Sequence, residues 1–211
     1  AKSIQGKSKK IKIVSCYSKN KKKRINFSKK YKTDYHDSYK AILKDSKINA
    51  VILTTPHSLH AKHAIQALQH GKHVFVEKPM ATKYLDAKKM YLTAKKNKKI
   101  LSVGHNRRYS SVSDFINNLN HQKKIGKILH IDSNFSASGA LNYKKKFWRA
   151  SRKESPGGAI AGLGIHMIDL MCFFGGQVKS VQSLVKKYAV KVNIDDTTSA
   201  LFEFNKNCTG N

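Results

Sequence analysis

Acid is what this 211-residue chain has least of: 12 Asp and Glu stand against 42 Lys and Arg, a formal net charge of +30. The shortage leaves little opposite-charge pairing along helix faces, because lysine stands there almost alone. The lysine runs are scattered (Lys21-Lys22-Lys23, Lys88-Lys89, Lys95-Lys96, Lys123-Lys124, Lys144-Lys145-Lys146, Lys186-Lys187), and no aromatic–lysine platform repeats. That pattern argues against sequence-specific nucleic-acid recognition and for non-specific, salt-sensitive polyanion binding. Cysteine is also scarce. Cys16, Cys172 and Cys208 are odd in number and far apart, which favours buried thiols over a disulfide or a zinc site. No apolar run approaches the ~20 residues that cross a bilayer, and the polar, basic opening carries no secretory signal. A soluble, cytoplasmic protein without a membrane partner is expected. Internal repeats and low-complexity linkers are absent.

What is present supports a real core: 40% of the residues are hydrophobic, and the chain is long enough to bury them. Ile11–Ser18 reads as a strand, Arg24–Tyr31 as a helix, and Tyr39–Asp45 as a short helix capped by Asp37 or Ser38. Ala50–Thr55 is an apolar, β-branched strand ending in the turn Pro56-His57-Ser58. A helix with Leu59, His63, Ile65, Ala67 and Leu68 near helical spacing follows, and it stops at Gly71. The strand His73–Val76, a helix over Thr82–Lys98 and the strand Ile100–Gly104 come next. Strand and helix alternating at this spacing imply right-handed parallel crossovers. Beyond Arg108 the pattern changes. Ser113–Leu119 reads as a helix, Lys127–Phe135 as a strand and Gly158–Phe174 as a turn and long apolar helix. Val178–Val185 and Thr198–Phe204 read as strands about the polar loop Asn193–Asp196. The expected division is 1–108, an α/β parallel-sheet domain, and 109–211, part of an α+β domain with a mainly antiparallel sheet.

The most informative stretch is His73-Val74-Phe75-Val76-Glu77-Lys78-Pro79-Met80. Ligands of open α/β sheets bind at the carboxyl ends of the strands. A lysine placed there can orient a hydroxyl or a carbonyl. Pro79 restricts Lys78 to extended geometry and permits a cis bond. A charged surface turn is the plain alternative.

Three blocks carry a family resemblance: TTPHSLHAKHAIQALQHGKHVFVEKPMA, SVGHNRRYS and WRASRKESPGGAIAGLGIHMIDL. In this order and spacing the chain resembles the glucose-fructose oxidoreductase / inositol dehydrogenase / MocA (Gfo/Idh/MocA) family from about Ile11 onward. The resemblance implies a Rossmann domain and an NAD(P)-dependent dehydrogenase or reductase acting on a sugar, polyol or related carbinol. It implies catalytic roles for Lys78 and His166, with Asp169 three residues on to orient the ring. Thr54, Thr55, Pro56, His60, Glu77, Lys78 and Pro79 match the cofactor side. Ser18 and Lys19 stand where an acid would grip the ribose of NAD, so NADP is favoured over NAD. On the substrate side stand Arg108, Trp148, Arg149, His166 and Asp169. Arg108 offers a fork for a carboxylate or phosphate, or for a structural ion pair, and Trp148 offers a ring to a sugar face or to the core.

Two departures qualify the resemblance. Gly162 occupies the position, four before His166, where many relatives carry an acid, so the substrate class is open and a catalytically weak or inactive relative is the alternative. A polyanion-binding protein on the same scaffold is another. No G-x-G-x-x-G turn precedes Ile11. Ala1–Gly6 reads as the end of a first helix, and Cys208–Asn211 as a turn. The chain is thus expected to be a fragment lacking its first β-α unit and carboxyl-terminal part, binding cofactor weakly by itself. By analogy, the complete protein is expected to be a homo-oligomer.

Overall fold

The computed structural model describes Ala1 and residues 4–211. Lys2 and Ser3, within the stretch expected to end a first helix, lie outside the described residues. The chain divides into two units, both discontinuous in sequence. The first holds Ala1–Leu53, Ala61–Phe75 and Lys88–Ser102; the second holds Thr54–His60, Val76–Ala87 and Val103–Asn211. The turns that follow two of the parallel strands therefore belong to the second unit.

In the first unit a short parallel pair, β1 (Ser15–Cys16) and β2 (Asp34–Tyr35), flanks α1 (Lys21–Tyr31). The Asn20 side chain caps α1 by accepting from Lys23 N at 3.0 Å, and Lys29 and Lys30 lie at its negative end. The strand expected over Ile11–Ser18 shrinks to two residues. Ile13 N donates to the Gln5 side chain at 3.1 Å, so its backbone is not available to a ladder. The helix α2 (Tyr39–Lys44) is capped by Ser38, which accepts from Ala41 N at 3.1 Å.

The strands β3 (Ala50–Leu53), β4 (His73–Val76) and β5 (Leu101–Val103) form one sheet in that order. Their hydrogen bonds advance together along the chain, Val74 N to Ile100 O and Gly104 N to Val76 O, both 2.9 Å, as a parallel pair requires. The crossovers are α3 (His57–Gln69) and α4 (Tyr84–Lys96). Val51, Leu53, Leu68, Val74 and Met90 are buried in the first unit; the first four lie on the strands and the helix face that the sequence pattern marked.

The second unit continues with α5 (Ser111–His121), β6 (His130–Ile131) and a π-helical turn, Ile160–Gly164, that runs into α6 (Ile165–Gly175). Next come β7 (Val178–Lys186), β8 (Thr197–Phe204) and β9 (Cys208–Gly210). The sheet order is β6-β9-β8-β7, with β6 and β9 parallel and the other pairs antiparallel. Two expectations change here. The strand over Lys127–Phe135 is only two residues of ladder. Cys208–Asn211, expected as a turn, supplies β9 in the interior of the sheet. Asn207, at φ +53°, turns the chain back and lets Cys208 pair with Phe204. Met171, Phe204 and Cys208 form the core under this sheet. A second cluster joins Ala150 to Val190, Val192 and Ile194. The loop carrying those valines is held by Asp196, which accepts from Tyr188 N, Ala189 N and Val190 N at 2.9, 2.7 and 2.8 Å. Those three N–H donors hold its carboxyl well below the usual range. Among the described residues no helix is long and apolar enough to cross a membrane.

Candidate active site

The site lies within the second unit, on the turns that follow β3, β4 and β5 and on the Trp148–Asp169 segment. After β4 the chain reads Glu77-Lys78-Pro79, with a cis bond before Pro79. Glu77 folds back so that its Oε2 accepts from Lys78 N at 3.2 Å. Its carboxylate presses on Gly104, where a Cβ would stand 3.3 Å from the carboxylate atoms. The Lys78 ammonium donates to the carbonyl of Gly162. Gly162 brings no carboxylate to the lysine, but its backbone oxygen anchors the ammonium. Burial first, and the Arg149 charge second, push Lys78 below the ordinary lysine value, while Glu77 opposes them.

His166, on the first turn of α6, is pushed below the ordinary imidazole value by burial first and then by Lys78, His105 and Arg107. Its Nδ1 is buried without a hydrogen-bond partner among the described residues. Asp169 does not orient that ring. Its carboxylate takes the Arg108 fork, Nε to Oδ2 at 2.8 Å and Nη2 to Oδ1 at 2.6 Å. Arg108 therefore forms the ion pair that the sequence left as one of two options. Asp169 Oδ1 also lies 3.8 Å from His105 Nδ1. The His105 ring stands perpendicular to that of His166, with centroids 6.4 Å apart.

The turn after β3 is tied down on two sides. His60, fully buried, places Nδ1 2.8 Å from Pro79 O and Nε2 2.9 Å from Thr55 O, joining this turn to the one that holds Lys78. Glu154 clamps the start of α3. Its carboxylate accepts from Ser58 N at 2.9 Å and from the Ser58 hydroxyl, and its carbonyl accepts from His57 Nδ1. A carboxylate there satisfies a free first-turn N–H at the positive end of the helix. Trp148 meets the edge of His57 at 4.9 Å, and the Arg149 guanidinium covers its ring at 4.1 Å. Thr54 is exposed, whereas the Thr55 hydroxyl is buried without a partner among the described residues.

Lys78, His166, Asp169, Arg108, Trp148, Arg149, Thr54, Thr55, Pro56, His60, Glu77 and Pro79 thus all fall in the second unit. Ser18 and Lys19 fall in the first. There the Ser18 carbonyl accepts from Arg24 at 3.3 Å, its hydroxyl accepts from Asn20 N at 3.3 Å, and Lys19 is exposed. Sequence reasoning missed His105, Glu154 and the buried role of His57. The position of His105 just after β5 matches that of Lys78 after β4, and this parallel could have found it. Nothing near Glu154 in the sequence points to a partner 96 residues away. The groove lined by Gly139, Asn142, Tyr143, Lys144, Lys146 and Phe147 contains none of these residues.

The fold defines a two-part α/β protein, a Rossmann-type parallel sheet followed by a mixed sheet. Residues 1–105 match the model of the oxidoreductase family with an NAD-binding Rossmann fold, and residues 116–211 match the GFO/IDH/MocA C-terminal domain. The chain belongs to the Gfo/Idh/MocA oxidoreductase family. It is 32% identical over 162 residues to glucose-6-phosphate 3-dehydrogenase of Bacillus subtilis, covering 76% of this chain and 46% of that protein. A crystal structure of an NAD-binding protein from Listeria innocua superposes with a TM-score of 0.85 at 27% identity, over 98% of this chain and 60% of that one. The WlbA dehydrogenase from Bordetella pertussis, solved with NADH and UDP-GlcNAcA, gives 0.86 at 26%, over 94% and 57%. The chain spans about half the length of the curated relatives it matches.

Proposed function

We propose that this chain carries the proton-handling centre of an NAD(P)-dependent dehydrogenase or reductase acting on a sugar, polyol or related carbinol or ketone. The observation that carries the reading is the lysine–histidine centre itself. The Lys78 ammonium is anchored on the Gly162 carbonyl, and its charge helps hold His166 toward the neutral form. Among the described residues the buried Thr55 hydroxyl and His166 Nδ1 have no protein partner, and a polar nicotinamide amide and a carbinol are groups they suit. When bound, the nicotinamide supplies the hydride acceptor or donor. Lys78 then polarises the substrate oxygen, and His166 takes the hydroxyl proton on oxidation or returns it on reduction. Glu77, His60 and Pro79 hold the turn that carries Lys78, and Thr54, Thr55 and Pro56 line the cofactor side. Trp148 and Arg149 form a stacked pair beside His57 and flank the substrate.

The lean toward NADP over NAD rests on Ser18 and Lys19, which put positive charge and no acid where a ribose would be gripped. Relatives whose names give glucose-6-phosphate and UDP-GlcNAcA support a sugar-type substrate. The protein is tested against a panel of sugars and polyols, with hydride transfer followed by nicotinamide absorbance with each cofactor. Turnover of at least one carbinol, faster with NADP than with NAD, is expected; no hydride transfer to or from any member sinks the reading. The net charge of +30 supports salt-sensitive polyanion association as a separate property of the same chain.

A further inference from the structure

His105 plays no part in the chemistry just described, yet it faces that centre. Its Nδ1 lies 3.8 Å from Asp169 Oδ1, and its ring stands perpendicular to that of His166 at 6.4 Å. Among the described residues, the Nδ1 atoms of both rings are buried without a hydrogen-bond partner. Gly162 brings His166 no side chain at all, and a Cβ there would meet nothing within 4 Å. The carboxylate of Asp169 approaches His105 rather than His166, although it stands on the same helix as His166.

We propose that His105 is a positioning residue that, together with Asp169, sets the charge state of His166 and so its capacity to accept a proton. The proposal rests on the reading of Lys78 and His166 as the proton-handling pair. Two imidazoles this close repel each other when both are charged, so protons enter them as a coupled pair. The first proton goes to the ring whose charge is better compensated. His105 is faced by Asp169 and His166 from α6, by Arg108 from the following turn, and by Lys78 and Glu77 from the turn after β4. His166 is faced by Lys78, His105, Arg107 and Asp169. Burial disfavours charge on both rings, but only His105 has the carboxylate close at hand. The first proton settles on His105, and His166 stays neutral. When a carbinol is oxidised, its C–H electron pair leaves as hydride to the nicotinamide and its O–H bond breaks. The C=O bond forms, and the proton makes a new N–H bond on His166. His105 makes and breaks no bond in that step.

The test is an NMR titration of the histidine ring signals in the parent protein and in His105→Gln and His105→Lys. In the parent, the His166 signal is expected to sense two steps, its own and that of His105. In His105→Gln it is expected to titrate in one step, shifted to higher pH. In His105→Lys, where the charge at 105 is fixed, it is expected to stay at or below the parent value. A role limited to packing would shift both variants in the same direction, and that result overturns the proposal. So does a parent His166 curve with a single simple step, which judges the proposal even where a variant fails to fold. The pH profile of turnover is expected to follow His166 in the Gln variant. If no form of the protein transfers hydride, the dehydrogenase reading fails while the ring titrations still decide the role of His105.

Discussion

Gly158→Ala and Gly162→Ala are the same chemical change placed four residues apart on one segment, and the structure assigns them opposite consequences. Gly158 sits at φ +55°, and a Cβ built on it would stand 1.7 Å from Asp195 O and 2.5 Å from Asp195 C. Both neighbours are backbone, so no flexible side chain can yield. Left-handed geometry costs alanine about 1–2 kcal/mol by itself. Relief requires the two strands of chain to part by more than an ångström. That movement breaks the bond from Ala159 N to Asp195 O, 3.1 Å long, at a further ~1 kcal/mol. It also loosens the cluster of Ala150, Val190, Val192 and Ile194, for another ~1–2 kcal/mol of overpacking strain. The total is about 3–5 kcal/mol, which for a chain of this size lowers the melting temperature by roughly 10 °C. At Gly162 a Cβ meets nothing within 4 Å and the backbone is helical. Alanine there is expected to be neutral or to stabilise by about 0.5–1 kcal/mol. Differential scanning calorimetry of the two variants beside the parent measures both. Gly158→Ala melting within ~2 °C of the parent would refute the packing argument for the Trp148–Asp169 segment.

Two further outcomes follow from the same contacts. Glu154→Ala removes the carboxylate that holds Ser58 at the start of α3, and is expected to cost about 1–2 kcal/mol in urea unfolding. Glu154→Gln is expected to lose less, since an amide oxygen still accepts from Ser58, and equal losses would argue against the clamp. Stability should also depend on pH. His57, His105 and His166 are all pushed below the ordinary imidazole value of 6.5, chiefly by burial. The unfolded chain therefore binds more protons than the folded one as pH falls below about 6.5. Stability is fully present above that value and is lost as pH drops toward the folded-state values. The melting temperature is expected to be level near neutrality and to decline from about pH 6.5 downward; a level profile down to pH ~5 would count against it.

The sequence made the parallel sheet legible because its strands are apolar, β-branched and punctuated by a turn or glycine, as at Ala50–Leu53 and His73–Val76. It made the site half legible. Lys78 and His166 stood out from their motifs, and the structure places Lys78 on the turn after β4 and His166 at the start of α6. The pairing of Asp169 was not visible, because helical spacing shows which residues share a face but not which partner from another segment reaches them. Arg108 reaches Asp169 from 61 residues away. Glu154 stayed hidden for the same reason. β9 stayed hidden because three small residues after a turn carry almost no strand pattern, and only pairing with Phe204 and Ile131 defines them.

The central claim is that Lys78 handles the substrate oxygen during hydride transfer. Its most direct test is kcat/KM of Lys78→Ala on a carbinol that the parent protein oxidises, with circular dichroism confirming an unchanged fold. Loss of positioned acid–base chemistry predicts a fall of about 100-fold or more. Turnover equal to that of the parent would contradict it.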